Sequence, residues 1–165
     1  RAEKIGVGAI KYIILRNEPI KDVEFSWDIA LNFEGDSGPY IQYTYARASS
    51  IIKKAKEDKI DKKIKNKVNS KEIKTEAITN QESQLIKKIA ELPKVIEEVV
   101  EKSSPNLLAS YSFNLAKLFN EFYHSCQVIN AKKETKERRL KIIEAFRTTI
   151  KNSLYLLGIE VMNEM

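Results

Sequence analysis

Tyr40, Tyr43, Arg47 and Lys54 recur at helical spacing within EGDSGPYIQYTYARASSIIKKAK, residues 34–56, so one stripe of a single helix alternates flat aromatic faces with cations. Phenol rings offer stacking surfaces to unpaired bases, and cations offer charge to the phosphates between them. That is the equipment of a surface for single-stranded nucleic acid. The same spacing suits tyrosines that fill a seam between two helices, and residue types alone leave both readings open.

Acid–base and metal chemistry find little to work with. His124 is the single histidine and Cys126 the single cysteine, which excludes a disulfide framework and leaves no multi-cysteine or paired-histidine set for a metal. His124, Ser125 and Cys126 are adjacent, and neighbours on a helix point in different directions, so they make a poor nucleophile–base pair. A histidine near a helix end and a cysteine filling the core are the plainer expectations. The GVG of Gly6 to Gly8 lacks both the preceding strand and the third glycine of a phosphate-binding loop. No catalytic residue and no cofactor are expected in this chain.

The 165 residues carry a formal charge of +6 with a pI near 9.2, which favours an anionic partner: nucleic acid, an acidic membrane surface or an acidic protein. From Lys53 to Lys74 ten lysines face four acidic residues, Glu57, Asp58, Asp61 and Glu72. Such a run is expected to be a flexible segment at about 56–80, either collecting phosphates or simply solvated. It lacks the broad apolar face that binding in a membrane interface requires. No uninterrupted apolar run is long enough to cross a bilayer, and the lone cysteine fits a reducing cytoplasm. The chain starts at Arg1 without a basic, apolar leader, as expected of a fragment without a secretion signal.

Hydrophobic periodicity supplies the elements that must position the stripe. Ile5, Ala9, Ile10, Ile13 and Ile14 predict an amphipathic helix ending before NEP, and the alternation of Val23, Phe25 and Trp27 predicts a short extended stretch anchored by Trp27. Asp36 or Ser37 is a cap, and Pro39 suits the first turn of a helix running to about Lys56. On it Ile41, Tyr45, Ala48 and Ile52 form a core stripe, about a third of the circumference away from the tyrosines. Thr79 or Asn80 caps a helix that buries Leu85, Ile86, Ile89 and Leu92. Pro93 restarts the chain into Val95, Ile96, Val99 and Val100. A helix after Ser104 and Pro105 buries Leu108, Tyr111, Leu115, Leu118 and Phe122, with Phe119 and Tyr123 on a flank. The last runs from about Thr135 to Leu157, with Leu140, Ile143, Phe146, Ile150, Leu154 and Leu157 inward, and Gly158 stands where a left-handed residue ends a helix. Helices of this length with short connections predict an all-α fold, an antiparallel helical bundle.

The blocks VGAIKYIIL, FSWD, FEGDSGPYIQYTYAR, ELPKVIEEV, NLLASYSFNLAKLFNEFYHSC and RRLKIIEAFRTTIKNSLYLLGIE, with Met165 at the end, follow one another in one order. In that order they resemble the C-terminal end of arginyl-tRNA synthetases across nearly the whole chain except the lysine-rich segment. The resemblance implies that residues 35–165 form a helical anticodon-binding (DALR-type) domain of a class I synthetase, and that residues 1–34 are the tail of the catalytic region and a connector. It implies a parent arginine–tRNA ligase that uses ATP with Mg, whose nucleotide-binding motifs lie outside this chain. The implied partners are tRNA(Arg), through its anticodon loop, and the catalytic domain of the same parent chain. Every arginine codon has G at its centre, so every cognate anticodon has C there, and a single module can read that base. By this resemblance Tyr40, Tyr43 and Arg47 line one side of an anticodon pocket and Tyr123 and Met165 the other; Lys54 joins the RNA-binding set from its place on the helical stripe. Glu164 and Gln127 depart from the family pattern, which often has a basic residue and a proline there. The competing expectation is a basic helical bundle that binds or scaffolds proteins without specific RNA recognition.

Overall fold

The structure, a computed structural model, describes residues 1–65 and 77–165. Among them are seven helices and no strand: α1 (Ala2–Leu15), α2 (Trp27–Ala30), α3 (Gly38–Lys65), α4 (Asn80–Ala90), α5 (Leu92–Lys102), α6 (Asn106–Ser125) and α7 (Lys133–Leu156). Much of the lysine-rich segment expected at about 56–80 lies outside the described residues.

The start of α3 follows from its sequence. The Ser37 hydroxyl accepts from the Tyr40 N–H at 3.2 Å, capping the first turn, and the same hydroxyl donates to the Asn32 carbonyl. Pro39 sits where a helix has no use for an N–H. One face of α3 then buries Ile41, Tyr45, Ala48 and Ile52 as its periodicity predicts. α4 begins with a capping box: Thr79 Oγ1 accepts from the Glu82 N–H at 3.2 Å, and the Glu82 carboxylate accepts from the Thr79 N–H at 2.7 Å.

The centre of the molecule is α6, which packs against α3, α4, α5 and α7, while α3 is also held by α1 and α7. Leu115, Phe119 and Phe122 are completely buried there, and Phe119 stacks on Phe146 of α7 with centroids 4.0 Å apart. Each such burial stabilises by about 1.5–3 kcal/mol. Phe119 therefore departs from its expected flank, because α6 is enclosed on several sides and one apolar stripe does not exhaust its buried surface. Leu118 is only partly buried.

Other apolar side chains depart in the opposite sense. In α1 the inward face is Gly8, Ala9, Tyr12 and Ile13, leaving Ile10 and Ile14 outside. Trp27 anchors nothing: it opens the short α2 and packs edge-on against Phe25 at 4.8 Å, both exposed. Ile86 and Val100 are also exposed.

Two glycines let α1 cross α3 closely. A Cβ on Gly38 would lie 2.7 Å from the Gly8 carbonyl oxygen, and a Cβ on Gly8 would lie 2.7 Å from Gln42 Nε2. The GVG glycine is thus a packing residue. Gln42, completely buried, donates through Nε2 to the carbonyls of Glu160 at 2.7 Å and Lys4 at 3.3 Å, tying α1 and the C-terminal tail to α3. Gly158 adopts the expected left-handed φ of +69°, the Ile159 N–H bonds back to Leu154 at 2.8 Å, and α7 ends there. The tail then runs along α3, where Asn163 accepts from Tyr45 and Ser49 and Glu164 meets Lys53.

Candidate nucleic-acid interface

An open groove of about 1020 Å³ lies where α3, the end of α6, the loop after it and the tail meet. α3 contributes Tyr43, Arg47, Lys53 and Lys54, α6 contributes Tyr123, and the tail contributes Glu164 and Met165. Tyr43 and Tyr123 are each 40% exposed, far more than a core tyrosine.

At its centre the Arg47 guanidinium carbon lies 4.9 Å from the Tyr43 ring centroid and 5.2 Å from that of Tyr123. Arg47 Nη1 donates to Asn120 Oδ1 at 2.7 Å, and Nη2 makes a long contact, 3.4 Å, to the Tyr43 hydroxyl. No carboxylate pairs with Arg47 among the described residues. Aromatic faces and a neutral amide fix its position by about 0.5–1 kcal/mol per ring without cancelling its charge. An anion entering the groove meets a positioned, uncompensated cation between two ring faces.

Tyr43, Arg47, Lys54, Tyr123 and Met165 line this groove together. Tyr40 does not. It is half-buried, its hydroxyl accepts from Asn120 Nδ2 at 2.8 Å, and its ring packs on Phe113 at 5.5 Å. Of the two tyrosines, one is seam and one is surface. Asn120 joins them: its amide also reaches Thr44 Oγ1 at 3.3 Å, so it holds Tyr40, Thr44 and Arg47 in one network. Sequence reasoning passed over Asn120. The available signal is that it precedes Tyr123 by three residues on α6 and so shares its face.

The groove's far wall is an ion-pair cluster. Glu164 meets Lys53 at 3.3 Å and Arg1 at 3.2 Å. The hydrogen bond and charge of Lys53, reinforced by Arg1, hold the Glu164 carboxyl below the usual carboxylate range. Cys126 is buried, with Sγ 3.5 Å from Thr79 Oγ1. Exposed His124 occupies the last turn of α6 against Tyr123. Among the described residues no group of His, Cys, Asp and Glu is arranged to hold a metal, and no helix is long and apolar enough to cross a membrane.

A second charged cluster lies away from the groove. Glu82, completely buried, accepts from Arg139 Nε at 3.0 Å and from Arg138 at 3.3 Å. Burial alone pushes its carboxyl upward, but the Thr79 N–H, the Arg139 hydrogen bond and the two guanidinium charges together outweigh burial and hold it below the ordinary 4.5. Arg139 also donates to the Gln127 carbonyl at 2.6 Å, which fixes the loop entering the groove.

Residues 41–165 match the family model described as the DALR anticodon binding domain. The chain is 43% identical to the arginine–tRNA ligase of Pyrococcus abyssi over 99% of its own length and 25% of that relative's. It is 40% identical to that of Clostridium perfringens over 99% of itself and 28% of the relative. Among solved structures, it is similar to Thermus thermophilus arginyl-tRNA synthetase, with a TM-score of 0.84 and 30% identity over 99% of this chain and 27% of that one. Plasmodium falciparum arginyl-tRNA synthetase gives a TM-score of 0.80 and 27% identity over 99% and 28%. The chain spans about a quarter of the length of the curated relatives it matches.

Proposed function

The chain belongs to the DALR anticodon binding domain family, and from that premise we propose that its Tyr43–Arg47–Tyr123 ledge receives the unstacked central base of a tRNA anticodon. The carrying observation is the Arg47 guanidinium held between two ring faces by neutral partners. A splayed cytosine stacks on the rings, the phosphate beside it meets Arg47 and Lys54, and Met165 closes the opposite side. Tyr40 supports this ledge from behind through Asn120.

The parent protein in this reading is an arginine–tRNA ligase whose ATP and Mg are bound by its catalytic part, working on tRNA(Arg) in the cytoplasm. Residues 35–165 are the anticodon-binding domain and residues 1–34 the connector to that catalytic part. The exposed Ile20, Phe25 and Trp27 suit a connector, because apolar side chains there gain from a neighbouring surface.

Filter binding with tRNA(Arg), with the same tRNA carrying a changed central anticodon base, and with liposomes tests the reading. Selective loss on the base change is expected. Equal binding of both tRNAs reduces the surface to nonspecific attraction, and retention of neither, with capture of an acidic protein instead, favours the interaction-bundle alternative.

A further inference from the structure

Beside the groove lies a smaller depression of about 310 Å³ between α3, α7 and the tail. Its walls include Lys53, Lys56, Arg147, Asn163 and Glu164. Ser50, Lys53 and Glu164 belong to both hollows, so the Lys53–Glu164 ion pair is the divide between them. On the far side the balance of charge differs from that on the divide. Lys56 and Arg147 make no ion pair among the described residues, whereas Lys53 is already matched by Glu164. Asn163 completes the set: its Oδ1 accepts from the hydroxyls of Tyr45 at 3.3 Å and Ser49 at 3.4 Å. Both acceptor positions are thereby used, and the Nδ2 donors are left without a protein partner on the wall of the depression.

Two unmatched cations and an amide whose donors remain available form a site for an oxyanion with several acceptor oxygens. Glu164 guards only the side toward the groove. Resting on the anticodon reading above, we propose that this depression binds a backbone phosphodiester of the same RNA, next along the strand from the bases on the tyrosine ledge. The strand crosses the Lys53–Glu164 divide. The site reads charge and spacing, and is indifferent to base identity.

The test is the salt dependence of binding by the protein to an anticodon stem-loop RNA with C at the anticodon centre, and to the same RNA with that base changed. Replacing Lys56 and Arg147 together by alanine is expected to lower the log–log salt slope by about 0.7–0.9 for one lost phosphate contact. At about 0.1 M salt that corresponds to roughly a five- to eight-fold loss, equal for both RNAs. Arg147→Lys with Lys56 intact is expected to keep the slope. An unchanged slope in the double variant, while Tyr43→Ala still abolishes discrimination between the two RNAs, overturns this site and leaves the anticodon reading standing. Loss of neither slope nor discrimination overturns both. Binding of inorganic phosphate at Arg147, seen by NMR of its guanidinium, together with an unchanged RNA slope also overturns it, since the depression then takes the free anion.

Discussion

Two arginine sites on this chain use the same side chain to opposite ends. Arg139 is buried against Glu82, with Arg138 completing the pair of guanidinium groups around one carboxylate and the Thr79 N–H beneath it. The partners there are the shared carboxylate and, for Arg139, the Gln127 carbonyl at 2.6 Å, so Arg139 is matched by an opposite charge inside the core. Arg47 is held by two tyrosine rings and the amide of Asn120, and its charge survives. The difference teaches how a fold can separate structure from recognition: the arginine proposed to meet an outside anion is oriented by neutral groups, while the one in the core is paired with a carboxylate. Electrostatic cost follows the same division, since desolvating a charge requires full compensation and exposing it requires none.

The sharpest way to break this comparison is Glu82→Ala. It leaves the buried Arg139 guanidinium without its carboxylate and removes half of the capping box, so about 3–5 kcal/mol of stability should vanish in urea unfolding. RNA affinity of the fraction that remains folded should be unaffected. The pH dependence carries the same sign. Glu82 has a lower pKa folded than unfolded, so its contribution is complete above the ordinary 4.5 and fades as pH falls through the folded value. Urea midpoints measured from about pH 6 to about pH 3 should drop, and Glu82→Gln should flatten that drop.

Tyr43→Ala should do the converse. It is expected to cost about 1–3 kcal/mol of RNA binding while stability stays within about 0.5 kcal/mol, and it should erase preference for the central base. Equal losses in stability and binding would collapse the distinction between the two sites. Asn120→Ala is the intermediate case, because this residue belongs to the core network on one side and to the ledge on the other. A loss of about 1 kcal/mol in each of urea unfolding and RNA binding is expected. The smallest effect belongs to Glu164→Gln, which frees Lys53 and Arg1 from their shared carboxylate. RNA affinity should rise roughly two-fold at low salt and converge with the parent at high salt.

Much of this was legible along the chain. The α3 start was written in GDSGP, its core stripe in Ile41, Tyr45, Ala48 and Ile52, and its end partners in the family blocks. The aromatic–cation stripe identified the chemistry. It did not separate Tyr40 from Tyr43, because both sit on one stripe and only α6, through Phe113 and Asn120, decides which is covered. The Glu82 knot was equally hidden: its partners lie 56 and 57 residues away, beyond any local period. Trp27 misled for a different reason. Three alternating apolar residues mimic a strand, but this segment has no neighbouring strand to pair with among the described residues: Val23 and Phe25 lie outside any regular element and Trp27 opens the short helical turn that follows. Phe119 escaped because one-face periodicity underestimates a helix enclosed by several others.

The meeting of Gly8 and Gly38 has a mechanical meaning. Side chains between two helices act as a cushion on which they can roll, and here that cushion is missing: backbone rests on backbone. α1 and α3 are therefore held at a fixed angle, like the two arms of a set square. Any further part of a longer chain joined to α1 inherits the angle at which the proposed base-receiving face is presented, so a bulkier residue at either glycine would spoil aim before it weakened grip.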